Sequence, residues 1–521
     1  MTEYKVTDAL LRFDRAVNSA DSLQENFIRL QQAEQLRQRA RFDEAQSICE
    51  SLLQRHPDYA GALHTLGLIA GDREDYPQAL NYLVRAVMLN PRNWMTLTAL
   101  SGIYQRLGAL EMAKQTIGQA RQIEPKQAAV LLVQGDVFRQ DREYEFAGDA
   151  YRQALAIDPS LLTAAVGLGW CLADLGEYRQ AAEIFESLIQ RGIPSVEPLR
   201  ALASFPAAAV RIDLLPQLAR AHRQQDESVA QFERAIAFIR ATALHRAGRH
   251  AEAWEQAVQA NRSVFVAMQS DLEQLDERRR ASLATLQRYR RESALPGGGD
   301  RQPMSLFILG PSRSGKTTME KLASRLPGVK RGYENPIVEN AVRRTFQVSA
   351  LPPDGALSSL PAPAHPLCRA LYREELVHRL AGEMVFTNTN SSSVFEAVHI
   401  ASVFENVRFI FMKRNMEDNL LQIFMREYQG GNPYGYDLKA AREHILWHHQ
   451  MADLMAEKLP HIVRVIEYED MIADPTACLR TAAQLCGLSA PDGPVSPVAG
   501  DPGCSAPYRQ LMMMELQRQA N

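Results

Sequence analysis

The chain is 521 residues long, enough for about two to four domains, with 46% apolar and 23% charged residues. Those proportions exclude a chain disordered throughout, a collagen and a membrane channel. With 58 Lys and Arg against 61 Asp and Glu the formal net charge is −3, so the broad basic footprint of a dedicated nucleic-acid binder is absent.

The N-terminal segment MTEYKVTDALLRFDRAV is charged and lacks the apolar core of a signal peptide, and no run of 18 apolar residues follows anywhere in the chain. The six cysteines form no CxxC pair, which fits a reducing compartment rather than a disulfide framework. A cytoplasmic protein without a membrane span is expected. From there the chain repeats. Pro57, Pro91, Pro125 and Pro159 fall 34 residues apart, and Ala45, Ala79, Ala113, Ala147 and Ala181 keep the same step. Gly67, Gly135 and Gly169 share that register with Ser101 in the remaining slot, and a large apolar residue recurs at Leu83, Ile117, Tyr151 and Phe185. The small residues mark close approaches of paired helices, and each proline follows a second helix that it cannot continue. Such pairs bury their apolar stripes only by stacking. The pattern resembles the tetratricopeptide repeat, with five units over 26–195, and implies an all-α solenoid whose concave face binds a protein or peptide.

Beyond the repeats, 196–293 reads as degenerate helical repeats. AGRHAEAWEQAVQAN (247–261) is placed as the second half of one, and 271–293 as a charged capping helix with Arg278, Arg279 and Arg280 on a solvated face. ALPGGGDRQP (294–303) has linker composition. The expected layout is a helical lead-in (1–25), the repeats (26–195), the degenerate repeats and cap (196–293), the linker (294–303), an α/β domain (304–490) and a tail (491–521).

The α/β reading starts at MSLFILG (304–310), a buried-strand pattern that runs into a glycine. Gly310-Pro311-Ser312-Arg313-Ser314-Gly315-Lys316-Thr317 fits GxxxxGK[ST], and a helical pattern follows from Thr318. Loop N–H groups and a helix N-terminus converging on one point make an anion site. A nucleotide triphosphatase or kinase is one reading of this motif. Against it, the next strong strand, VRFIFMKRN (407–415), ends in Lys413-Arg414 rather than in a magnesium-binding aspartate, and Glu469 or Asp470 after VRVIEY is the strand-end carboxylate left for that role. A repeat scaffold whose second half only binds a nucleotide is a further alternative. His444, His448 and His449 are at helical spacing but read as solvent or packing side chains, and no metal is expected.

Arg313-Ser314-Gly315 with Thr317 resembles the 5′-phosphosulfate loop of sulfotransferases, and Arg414-Asn415-x-x-Asp418 is similar to their 3′-phosphate segment. GGNPYGYDLKAAREHILWHHQMADLMAEKLP (430–460) and VRVIEYEDMIADPTACLRTAAQLCGL (463–488) are similar to stretches of repeat-containing members. The chain is identified as a member of the tetratricopeptide-repeat sulfotransferase family. The resemblance implies a parallel sheet flanked by helices. It also implies sulfuryl transfer from 3′-phosphoadenosine 5′-phosphosulfate to a hydroxyl or amine of a protein, peptide or glycan. Gly310 through Thr318 would hold the phosphosulfate, Arg313 and Lys316 would neutralise it during transfer, and Arg414 with Gln422 would hold the 3′-phosphate. Glu334, 21 residues after Arg313, takes the place of the family's general base. Lys316 stands where the family has threonine, Gln422 where it has serine, and the segment Thr387–Ser391 lacks the usual lysine. The tail lacks the Arg/Lys-rich stretch that closes over the nucleotide.

Overall fold

The computed structural model describes residues 20–192, 195–223, 228–290, 303–351, 355–428 and 430–520. The expected linker lies outside the described residues except for Pro303, as does the lead-in up to residue 19. The chain divides into two compact units, one drawn from 1–192 with 204–211 and the other from 193–203 with 212–521.

The first unit is all-helical. Helices pair as Ala60–Asp72 with Tyr76–Leu89, Trp94–Arg106 with Leu110–Ile123, Ala128–Gln140 with Tyr144–Ile157, and Leu162–Leu175 with Tyr178–Gln190. Their starts keep the 34-residue step, and the prolines of the repeat follow the second helix of their pairs. The small residues are required by what they face. A Cβ on Gly67 would lie 2.5 Å from the Leu83 side chain, one on Gly135 2.6 Å from the Tyr151 ring, and one on Gly169 2.6 Å from Phe185. In the remaining slot Ser101 is buried and its hydroxyl donates to the Ala113 carbonyl (2.8 Å). Tyr151 is clamped from two sides, because a Cβ on Gly167 would also meet its ring at 2.5 Å. Gly135→Val should therefore lower the stability of this unit by about 1–3 kcal/mol through overpacking. Gly102→Ala, where a Cβ meets open space, should be neutral or slightly stabilising. Chemical denaturation followed by far-UV circular dichroism checks this pair. Equal midpoints for the two variants would contradict the close-approach account.

After two short helices the second unit has a helical hairpin, Val229–Arg246 and His250–Phe265. A capping box starts it. Ser228 Oγ accepts from Gln231 N–H and the Gln231 side chain accepts from Ser228 N–H, both at 3.1 Å. Ala253 and Ala260, the small residues expected in a degenerate repeat, are buried in it. On the next long helix, Gln269–Arg288, Arg278 and Arg280 are exposed as expected, while Arg279 is not. Arg278 lies over the Phe395 ring, 4.2 Å from its centroid. The Arg279 side chain is only 11% exposed and sits near Glu443 (3.8 Å), while its carbonyl accepts from the Trp447 indole (3.1 Å). Arg278 covers the Phe395 ring while remaining exposed, as a long arginine stem allows.

The sheet has five strands, β1 (Met304–Leu309), β2 (Val329–Lys330), β3 (Val385–Asn388), β4 (Val407–Lys413) and β5 (Val463–Glu467), in the order β2-β3-β1-β4-β5 with every pairing parallel. Both faces are covered, which is why the strands read as unbroken apolar runs. Phe307, Leu309, Phe409 and Phe411 face one core with Ile337, Val342 and Met451, while Leu306, Ile308, Ile410 and Met412 face the other with Met319, Leu322 and Leu479. The period of two along β1 and β4 sends alternate side chains to the two layers. Leu357 and Leu360, in the connection before the helix His365–Leu380, also join the first of these cores. β1 lies between β3 and β4, so the loop after it opens at the topological switch point, where the carboxyl ends of the strands part to either side.

Candidate functional site at the carboxyl edge of the sheet

Three strand ends meet at this edge. The first is the loop from Gly310 to Gly315. Gly310 has φ +155°, and a Cβ there would lie 2.7 Å from the Met412 carbonyl; Arg313 (φ +64°) and Gly315 (φ +97°) take left-handed conformations. Gly315 also leaves room for the Tyr468 ring, which a Cβ would meet at 2.5 Å. The helix Lys316–Ala323 starts immediately after, with Thr317 exposed and Thr318 half-buried in its first turn. Lys316 is 7% exposed, and its Nζ donates to the carbonyls of Gly310 and Pro311 (both 3.1 Å), holding the loop from within. Burial pushes its ammonium down to about 8, with the Glu334 carboxylate opposing and the Arg313 charge reinforcing that shift. The buried Ser314 hydroxyl has no partner among the described residues, while the carbonyl of half-buried Ser312 accepts from Asn419 Nδ2 (2.8 Å). Arg313 points outward, its guanidinium near the Gln422 carbonyl (3.4 Å).

The second element is the turn Gly332-Tyr333-Glu334-Asn335, tied down from below. Glu320, on the loop helix and buried, accepts from Tyr333 N–H (2.8 Å) and the Thr387 hydroxyl (2.6 Å), and pairs with Arg331 (3.2 Å). Asn335 donates to the carbonyls of Gly332 (2.9 Å) and Thr387 (3.1 Å), and Asn388 donates to the Asn335 carbonyl (3.1 Å). Gly332 is needed here because a Cβ would collide with the Thr387 carbonyl. The polar residues Thr387 and Asn388 thus anchor the turn. Its backbone is fixed while the Glu334 side chain stays exposed next to the loop.

The third element is the end of β4. Asn415 caps the helix Met416–Phe424, its Oδ1 accepting from the N–H groups of Glu417 (3.0 Å) and Asp418 (3.1 Å). Glu469 accepts from Asn415 N–H (3.1 Å). Arg414 is 4% exposed at its side chain and lies over the Tyr468 ring, 4.3 Å from its centroid. Its Nη1 donates to the Arg313 carbonyl (3.1 Å), joining β4 to the loop, and its buried Nε has no partner among the described residues. Gln422 stands one turn further along and its Nε2 donates to Asp501 (2.8 Å).

The expected site residues on the loop, at Arg414 and at Gln422 therefore share one edge, with Glu334 beside the lysine. Two neighbours had no signal in the sequence. Tyr428 is placed by its hydroxyl, which shares a 3.3 Å hydrogen bond with Ser312 Oγ. It also lines a cavity of about 310 Å³ with Arg234, Asp271, Arg278, Asn432 and Tyr436. Asp501 reaches the edge from the tail. His444 and His448 are buried, with His444 stacked on Tyr434 (centroids 3.8 Å apart). Burial pushes both well below the usual histidine value, and the Lys316 charge acts in the same direction on each. Among the described residues no group of three or more His, Cys, Asp or Glu side chains could hold a metal ion, and no helix is long and apolar enough to cross a membrane.

This geometry coincides with a family match. Residues 303–492 fit the model of the sulfotransferase family, and helical repeats lie ahead of them in the chain. It is 29% identical over 154 residues to cellulose synthase operon protein C of Pseudomonas fluorescens (strain SBW25), an alignment that covers 28% of this chain and 12% of that protein. Among solved structures, a tetratricopeptide repeat protein from Parabacteroides merdae ATCC 43184 aligns over 46% of this chain and 92% of its own at 15% identity and a TM-score of 0.33. Pseudomonas aeruginosa pilF aligns over 34% and 81% at 19% identity and a TM-score of 0.32.

Proposed function

We propose that the second unit transfers a sulfuryl group from 3′-phosphoadenosine 5′-phosphosulfate to a hydroxyl or amine, with the repeats binding a protein or peptide partner. The observation that carries this reading is the joining of the Gly310–Gly315 loop to a buried strand-end arginine, Arg414, through the Arg313 carbonyl. One site then accepts two separate anionic groups of a single donor. The donor set fits such a molecule. Gly310 keeps side-chain volume out of the cradle, while Ser314 Oγ and Arg414 Nε are buried polar atoms that lack partners among the described residues.

The donor supplies an activated sulfuryl group on a phosphate leaving group. Loop N–H groups, the start of the helix Lys316–Ala323 and the Lys316 ammonium stabilise charge where the bridging oxygen develops it. Arg313 neutralises the bound anion, and Arg414 with Gln422 fixes the 3′-phosphate. Glu334 accepts the acceptor's proton from an exposed position next to the loop. The acceptor reaches the loop through the cavity lined by Tyr428, whose hydroxyl is hydrogen-bonded to Ser312 of the loop. Its lining of tyrosines, two arginines and an aspartate suits a polar group carried on a peptide or glycan.

Thermal-shift titration tests the reading. Adenosine 3′,5′-bisphosphate should raise the melting temperature without a divalent cation. Stabilisation by ATP with magnesium and none by the bisphosphate would transfer the site to a kinase or nucleotide triphosphatase. Arg414→Ala should weaken bisphosphate binding by about 1.5–3 kcal/mol, the range for a charge-assisted hydrogen bond. Unchanged affinity in a folded Arg414→Ala variant would remove this arginine from the nucleotide site.

A further inference from the structure

The tail does not simply leave the domain after its last sheet-packing helix. Its strap from Val495 to Ser505 is held at both ends. Val495 N–H donates to Thr476 Oγ1 (3.1 Å), and the Ser496 carbonyl accepts from Arg325 (2.8 Å). At the far end, Asp418 accepts from the N–H groups of Gly503 (2.5 Å) and Ser505 (2.9 Å). Between these anchors the strap brings Asp501 against the end of β4. Asp501 Oδ1 accepts from Arg414 Nη2 (2.8 Å) and from the Tyr468 hydroxyl (2.9 Å), and Oδ2 accepts from Gln422 Nε2 (2.8 Å). Cys504 Sγ lies 3.6 Å from both Arg414 Nη2 and Gln422 Nε2. A guanidinium, an amide and a phenol thus converge on one carboxylate, the donor set an oxyanion of a ligand would use.

We propose that Asp501 is a built-in competitor for the anion subsite at Arg414 and Gln422, so that the nucleotide's 3′-phosphate binds by displacing this carboxylate. The proposal rests on the reading that Arg414 receives that phosphate. A carboxylate and a phosphate group cannot share the same N–H donors, and their like charges repel at this range. The strap need not come away for the exchange. The Asp501 side chain is 45% exposed, so rotation about its own torsions carries the carboxylate into water while Gly503 and Ser505 stay tied to Asp418. Because the strap is tethered, Asp501 competes at a high effective concentration that does not dilute with the protein. Occupancy of the donors by Asp501 for about nine-tenths of the time would lower the apparent nucleotide affinity about tenfold. The device also gives a selection rule. A nucleotide without a 3′-phosphate has nothing with which to evict Asp501 and gains nothing from its removal.

Isothermal titration of the full chain with adenosine 3′,5′-bisphosphate, and separately with adenosine 5′-monophosphate, tests this on wild type, Asp501→Asn and Asp501→Ala. The expected result is bisphosphate affinity raised about tenfold in Asp501→Ala, less in Asp501→Asn, whose amide oxygen still accepts from Arg414, and monophosphate affinity unchanged in both. Bisphosphate affinity that is unchanged or weaker in the variants overturns the proposal and makes Asp501 a residue that orients Arg414. An equal gain for both nucleotides also overturns it, since removal of a negative charge would then act on the site as a whole. Absence of bisphosphate binding in wild type and variants alike overturns it together with the nucleotide reading.

Discussion

Lys316→Ala should cut the rate of sulfuryl transfer by about 10²–10³-fold, the loss expected when one preorganised donor to a developing oxyanion is removed. The lysine is buried at the start of the loop helix, and its Nζ already donates to two carbonyls of the loop. It is therefore preorganised and pays no reorganisation when charge appears beside it. Since that charge is larger in the transition state than in the bound donor, the rate should fall more than bisphosphate affinity does. The pH profile gives a second handle. Burial pushes the ammonium down to about 8, so the positive charge is complete below that value and is lost as the pH rises through it. In the profile of kcat/KM, which reports the free enzyme, activity should fall on the alkaline side near pH 8. Lys316→Arg, which stays charged, should have lower activity but no such limb. An alkaline limb at the same pH in Lys316→Arg would assign it to another group. A loss in bisphosphate affinity as large as the loss in rate would make Lys316 a ground-state binder.

Glu334→Gln should lower transfer by about 10²–10⁴-fold, the range for loss of a general base, and leave bisphosphate binding nearly unchanged. The amide keeps the shape of the side chain but takes up no proton. The turn that carries it is fixed by the buried carboxylate of Glu320 and by Asn335, neither of which the substitution touches. Glu320→Gln separates position from chemistry. The amide cannot serve Arg331 and the Tyr333 N–H as the carboxylate does, so the turn should shift and the rate fall with stability. Glu334→Gln should lower the rate alone. A fall of less than threefold in a folded Glu334→Gln would place the base elsewhere on this edge.

Local pattern settled a large part of this protein. The 34-residue register, the small residues facing Leu83, Tyr151 and Phe185, and the prolines after the second helices are repeated and therefore visible without any distant contact. The strand–loop–helix at Gly310–Thr318 and the arginine at the end of VRFIFMKRN were legible for a similar reason. A parallel strand covered on both faces reads as an apolar run, and the residues that follow it are carried to the carboxyl edge by the topology itself. Arg278 and Arg279 show where local reading stops. Three consecutive arginines have the composition of a solvated face, and Arg278 and Arg280 are indeed exposed, but the contacts of Arg278 with Phe395 and of the Arg279 carbonyl with Trp447 come only from tertiary packing. The same holds for Thr387 and Asn388, whose side chains anchor the turn of Glu334 from a different strand. Asp501 was the least visible of all. It lies 87 residues from Arg414 in the chain, in a segment with no periodicity, and nothing near it in sequence marks it as a partner of a strand end. Pairing across that distance is decided by how the strap is tied to Asp418 and Thr476. Those ties are a few hydrogen bonds between side chains and backbone, and they leave no pattern in the order of the residues.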